Sequence, residues 1–174
     1  RGTSFLNVDA DAANIIGYNM VDSVDKLVSN VANAGTNVIY AQGSAGSRPA
    51  SRVAVSDANT FGAQEGRQAV AELRTASAPG FDNGNYIGLV HPDVSYDLRE
   101  QTAVTDVIQY QIRQEGAAVR NGSIGVFGGI EWIENPRAPI LDDAGATGTT
   151  NVYQTLVAGR QALAKAFSRA PGFG

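Results

Sequence analysis

The chain has no cysteine, so disulfides and thiolate metal sites are excluded outright. It has one histidine, which rules out a multi-histidine metal site within a single chain. No apolar run approaches the ~18 residues of a membrane span. A strong excess of one charge is also missing. The net charge of -4 is too mild to mark a polyanion binder. What is present is a chain of 174 residues, 43% hydrophobic, which is a globular rather than a disordered composition. That length suits one domain, or two small lobes sharing a core, and buries roughly 70% of the unfolded surface. Arg1 opens without a Met, nothing near it resembles a signal peptide, and Pro171-Gly172-Phe173-Gly174 closes without a polar tail. A piece of a longer protein is expected.

The first periodic segment runs from about Asp11 to Ala34. Ile16, Met20, Val24, Leu27 and Val31 step by three or four residues, and Val21 and Val28 widen the stripe. Asp9 or Asp11 can cap its start and Gly35 can end it. A helix of that extent is roughly 36 Å long, the length of a strut on which other elements lie. Val38-Ile39-Tyr40 and Arg52-Val53-Ala54-Val55 read as short strands, with Gly43–Pro49 a flexible loop between them. A helix capped by Ser56 or Asp57 is expected to reach about Ser77, with Ala69, Val70, Leu73 and Ala76 on its apolar face, and Pro79-Gly80 stops it. Asp82-Asn83-Gly84 turns the chain into a strand, Tyr86–Val90.

Pro92 suits the first turn of a following helix, where its missing N–H has no intrahelical partner. Val104–Gln114 carries Val104, Val107, Ile108 and Ile112 at helical spacing. Ile124–Glu134 reads as one long strand, with Ile124, Val126, Ile130 and Trp132 on one face and Phe127, Glu131 and Ile133 on the other. Gly128-Gly129 marks a bulge or a close backbone approach within it. Asn135–Asn151 is a long loop without periodicity, of the kind that carries function or meets a partner. Val152–Phe167 reads as a last helix, with Tyr153, Leu156, Val157, Leu163, Ala164 and Phe167 on its stripe. Helices and short strands without regular alternation indicate an α+β fold.

His91 is the first candidate for chemistry. It can be a general base oriented by Asp93 or Asp97, with Ser95 as nucleophile. Ser95 lies in no Gly-x-Ser-x-Gly elbow, and a strand-end histidine bonded to nearby backbone is the plainer reading. Gly43–Ser47 can cradle a phosphate with its amides, but no Lys-Ser/Thr follows, so it is not a P-loop. Gly125-x-x-Gly128-Gly129 lies where a strand continues, unlike a dinucleotide fingerprint. Asp142 and Asp143, with Glu131 and Glu134, offer oxygen ligands for a hard cation but lack an EF-hand spacing. Arg160, Lys165 and Arg169 suit the negative end of the last helix rather than nucleic acid. Trp132, Tyr110 and Tyr153 lack the interleaved basic residues of a single-strand binder. The residues thus assign no catalytic, cofactor-binding or metal site.

Three ordered segments resemble one family. Gly84–Arg99, with its Tyr-Ile-Gly-Leu-Val-His-Pro core, looks like the "YvaiiHP…dL" signature of the N-four-like phage major capsid family. Asn121–Asn135 is similar to its "GeiGxixGvrxvEs" strand, and Val152–Leu163 resembles its "vYxtlvxGkdA" helix. The resemblance covers about Ser56 to Phe167. It implies the Hong Kong 97-type capsid fold, with a spine helix, peripheral and axial domains, an extended loop and an N-terminal arm. On that reading residues 1–174 form one partial capsid-fold unit, with a spine helix at 9–35, a mixed core at 36–134, a long loop at 135–151 in the axial domain near a capsomer centre, and a C-terminal helix at 152–168. The implied function is that of a major capsid protein without catalysis. It would be a homo-oligomer of hexamers and pentamers, assembled in the host cytoplasm into the icosahedral virion shell of a tailed phage. The shell encloses DNA without sequence-specific binding, and scaffold, portal and decoration proteins are its further partners. No cofactor and no membrane are implied. Two other readings stay open: an encapsulin-like compartment shell, and a small hydrolase using His91 and Ser95.

Overall fold

Alternation of buried and half-buried residues along Tyr86–Val90 (β1) places Tyr86, Gly88 and Val90 on one face and marks where the core lies. The computed structural model describes residues 8–81, 83–100 and 123–164. The chain divides into two units, Arg1–Thr36 and Asn37–Gly174. The first unit carries helix α1, Val8–Asn33. Its apolar stripe is exposed, with Ile16, Met20, Val21, Leu27 and Val31 keeping 62–70% of their surface.

The second unit is built on a four-stranded sheet ordered β2-β3-β1-β6. Strands β2 (Ser123–Phe127) and β3 (Ile130–Glu134) are antiparallel, β3 is parallel to β1, and β6 (Leu156–Ala158) is antiparallel to β1. A separate ribbon pairs β4 (Ile140–Leu141) with β5 (Val152–Tyr153). Helices α2 (Ala63–Thr75) and α3 (Pro92–Glu100) supply Ala63, Val70, Val94 and Leu98 to the core. The sheet supplies Tyr86, Val90, Ile124, Ile130 and Trp132. These elements together make an α+β fold.

Local chemistry explains the helix ends. Helix α2 starts at Ala63, later than Ser56 or Asp57. Both the amide and the hydroxyl of Ser56 donate to the Asn59 side chain instead, in a turn ahead of the helix. Glu65 reaches back to accept the Gly62 N–H at 3.0 Å, which serves a helix-start donor left without a partner. The helix closes before Pro79. Ser77 takes a left-handed φ of 55°, its N–H reaches Arg74 O, and Ala78 N–H reaches Leu73 O, the paired bonds of a Schellman end.

Four sequence expectations are corrected. Val38-Ile39-Tyr40 is irregular, and Arg52–Ala54 is a 3-10 turn rather than a strand. Ile124–Glu134 is a hairpin, not one strand. Gly128 and Gly129 both take positive φ (63° and 85°), the signature of a tight two-residue turn that a side chain would strain. The turn exchanges the faces, so Phe127 pairs with Ile130, and Val126 with Glu131. Residues Val152–Ala158 are strands rather than the start of a helix, because β5 and β6 find partners in β4 and β1. The Val104–Gln114 helix and the end of the Val152–Phe167 segment lie outside the described residues.

Candidate functional site

His91 stands where β1 passes into α3. Its backbone carbonyl accepts the Ser95 N–H at 2.9 Å, the first turn of the helix. Its side chain completes the cap, because the Asp93 N–H donates to Nδ1 at 3.2 Å. With the amide donating, Nδ1 offers its lone pair, and the proton of the neutral ring is on Nε2. The Asp93 carboxylate lies 3.3 Å from the same nitrogen and can accept from it only when the ring is protonated. Asp93 therefore does not orient a neutral His91 as a catalytic carboxylate would, by accepting from Nδ1–H. Tyr153 of β5 donates to Asp93 Oδ2 at 2.8 Å, and its ring centroid lies 5.1 Å from that of His91. The hydrogen bond to Asp93, then burial and the neighbouring carboxylates, hold the Tyr153 hydroxyl above its usual 10.0, which keeps it a donor.

Ser95 is directed elsewhere. It is 2% exposed, and its hydroxyl lies against the Glu134 carboxylate and 2.9 Å from Pro92 O. Arg99 reaches the same Glu134 oxygen at 3.6 Å. The structure thus brings together His91, Asp93 and Tyr153, and assigns Ser95 to Glu134 and Arg99. Asp97 joins neither contact set. Burial, then the charges of Glu100 and Asp93, raise its carboxyl above the usual 3.8.

The other candidates are placed as follows. Among the described residues no group of three or more acids or histidines is arranged to hold a metal. Glu134 is engaged as above, and Asp143 stands at a turn with φ 50°, its N–H held by Asn151 at 3.0 Å. The Gly43–Ala45 segment is a 3-10 turn whose Ser44 N–H is donated inward to Ala58 O, so that amide is not turned to a ligand. Trp132 is core, 2% exposed, with Phe61 edge-on at 5.6 Å, and Arg160 is exposed in a turn. Tyr110, Lys165 and Arg169 lie outside the described residues. Among the described residues no helix is long and apolar enough to cross a membrane.

Two features carry weight that the sequence reading did not assign. Buried Glu65, 4% exposed, accepts the Gln42 N–H at 3.1 Å as well as that of Gly62, with Arg48 at 3.8 Å. A Glu three residues after a cap position was the available signal. The Asn135–Asn151 loop is also fixed rather than structureless. Ala146 N–H donates to Val55 O at 2.7 Å, Gly145 N–H to Thr150 O at 2.9 Å, and Thr150 to Asp57 at 3.0 Å. It presents an exposed tip in which Thr147 takes a left-handed φ of 67°.

This is an arrangement of caps, braces and a fixed tip. A family model described as phage capsid protein matches residues 1–173. The chain belongs to that family. It is a structural phage protein, and the family places it in the virion. No curated protein matches. Among solved structures it is similar to the capsid of Ralstonia phage GP4, with a TM-score of 0.51 and 18% identity over 64% of this chain. At that identity the likeness shows the fold, an α+β phage capsid fold. The matched part spans 35% of that capsid chain.

Proposed function

We propose that this capsid-family chain is the core of a major capsid protein of the Hong Kong 97 type, N-four-like, from a tailed phage. Copies form hexamers and pentamers that tile an icosahedral shell around DNA, and assembly takes place in the host cytoplasm with scaffold, portal and decoration proteins. The family match over residues 1–173 carries the reading. The α+β sheet unit supports it; on this reading α1 is the spine helix and the 135–151 loop is an axial-domain tip near a capsomer centre. A net charge of -4 fits a shell wall that encloses DNA without gripping its sequence. The tile performs no catalysis on this reading, since Ser95 is committed to Glu134 and His91 to a helix start.

The test is assembly. The full-length protein, alone or with its scaffold, is examined by sedimentation and negative-stain microscopy. Rings or closed shells are expected, and crosslinks from the 135–151 loop should fall within a capsomer. A protein that stays monomeric under all these conditions overturns the proposal.

A further inference from the structure

The turn that leads into β1 joins a conformational need to a chemical weakness. Gly84 takes a φ of 73°, a region that residues with a side chain rarely adopt, so the turn requires glycine there. Nothing lies within 4 Å of where its Cβ would stand. The residue before it is Asn83, one of the thermally labile residue types, and both are exposed. The side-chain amide carbon of an asparagine and the main-chain nitrogen of the next residue are one ring closure apart. A side chain on that next residue is what ordinarily crowds the approach. Here the backbone of the turn forbids one.

Two main-chain bonds close the turn, Phe81 N–H to Asn85 O at 2.9 Å and Gly84 N–H to Phe81 O at 2.7 Å. The second engages the nitrogen that would attack, so the fold slows the reaction relative to a free chain. It does not stop it, because releasing one bond of an exposed turn is a local opening, far less costly than unfolding. Other asparagines lack the opportunity. Asn59, Asn85 and Asn151 precede Thr60, Tyr86 and Val152, which carry side chains, and Asn135 precedes Pro136, which has no N–H. The Asn121-Gly122 pair lies outside the described residues.

We infer that Asn83 is a site of spontaneous covalent modification that lengthens the main chain at the head of β1. The Gly84 nitrogen loses its proton to solvent base and bonds to Asn83 Cγ. The side-chain nitrogen takes up a proton and leaves as ammonia, and a cyclic imide remains. Water then opens the ring. Opening at the main-chain carbonyl leaves isoaspartate, whose chain runs through Cβ and is one methylene longer, and opening at Cγ leaves aspartate. Either product replaces an amide by a carboxylate, which is ionised at neutral pH. The added methylene has little room, since where a Cβ would stand at Gly80 is 3.0 Å from the Gly84 carbonyl carbon and oxygen. The displacement therefore passes to Asn85 and Tyr86. Tyr86 is 3% exposed, with its N–H on Gly129 O at 2.9 Å and its hydroxyl on Ala78 O at 3.0 Å. None of this rests on the assembly of a shell.

The full-length protein is incubated in mildly alkaline heavy-oxygen water and mapped peptide by peptide by mass spectrometry, with Trp132 emission checking that the fold persists. Label is expected at Asn83 at least ~10-fold ahead of Asn59, Asn85, Asn135 and Asn151, the factor in rate that about 1.4 kcal/mol off a barrier makes. No label is expected at position 83 of Asn83→Gln. A synthetic peptide of residues 79–87 sets the free-chain rate, and the Asn121 peptide is read separately. The isoaspartate fraction, separated from the aspartate one, is expected to melt below the Asn83→Asp protein. Asn83 left intact after the peptide has fully converted, or label entering the other asparagines at the same pace, would overturn the inference. Equal melting of the isoaspartate fraction and Asn83→Asp would overturn its claim on β1.

Discussion

Substituting Gly88 by alanine places a methyl group against the face of the chain's sole tryptophan. Gly88 is the register partner of Trp132 across β1 and β3. Its added Cβ would lie 2.5 and 2.6 Å from two carbons of the indole and 2.8 Å from the Ile130 side chain. Carbon pairs rest near 3.5–4.0 Å, so the indole must withdraw by about 1 Å. It has nowhere to go. Where a Cβ would stand at Gly66 of α2 is only 3.2 Å from the other edge of the ring, and Phe61 meets it edge-on. Overpacking of this kind costs about 3 kcal/mol at its upper range. Removing a glycine from a strand returns ~0.5–1 kcal/mol, which leaves a net loss of about 2 kcal/mol. For a unit of this size that is a melting shift of roughly 6–10 °C. Urea unfolding followed by Trp132 emission reads both the loss and the displaced ring. Gly17→Ala in α1, with open space around it, is the control and should raise helicity. A Gly88→Ala protein within ~0.5 kcal/mol of wild type, with unchanged emission, would refute the close packing of Trp132 on β1.

Ser77→Gly should stabilise by ~0.5–1 kcal/mol in the same unfolding assay, because it relieves a left-handed φ at the end of α2; a loss would mean the serine side chain serves a bond there. Glu65→Ala should cost about 2–3 kcal/mol, since it strands the Gln42 and Gly62 amides beneath the 42–48 turn. Glu65→Gln, which keeps an acceptor oxygen, should cost less, and equal losses would place the effect in charge alone. Asp97 binds its proton more tightly folded than unfolded. Between the usual 3.8 and the raised folded value the native state therefore holds more protons, and stability falls as pH rises through that window. Asp97→Asn should melt higher than wild type at neutral pH, by at most about 1 kcal/mol for a group still in reach of solvent. The advantage should vanish below 3.8, and a constant advantage at all pH values would assign it to another cause.

What could be read from the residues follows the range of the forces involved. β1 and α3 were legible because their signals are local: alternation along Tyr86–Val90, then Pro92 at a first helical turn. The existence of α1 was legible from its period, but its setting was not, since a period says which face is apolar and not what covers it. The Ile124–Glu134 hairpin was misread because alternation survives a two-residue turn while the face assignment does not. Val152–Ala158 was misread for a related reason. Its apolar pairs, Val152-Tyr153 and Leu156-Val157, fit a helix stripe as well as two short strands. Only the distant partners β4 and β1 decide between them.

The His91 site shows the same limit in chemical form. A helix cap and a general base need the same thing, a lone pair within reach of an N–H or O–H donor. Sequence can place that lone pair near Asp93 and Ser95 but cannot say which donor takes it. Here the nearest donor is the Asp93 amide, supplied by the turn that Pro92 begins. Ser95 lies one turn further on, on the buried side of α3, where Glu134 from another strand meets it. The contact that completes the cluster, Tyr153, comes from a ribbon 60 residues away along the chain. A nucleophile that is 2% exposed and already bonded would have to leave the core to reach a substrate. The capping bond needs no such motion, and with the Tyr153–Asp93 bond it joins strand, helix and ribbon at one point.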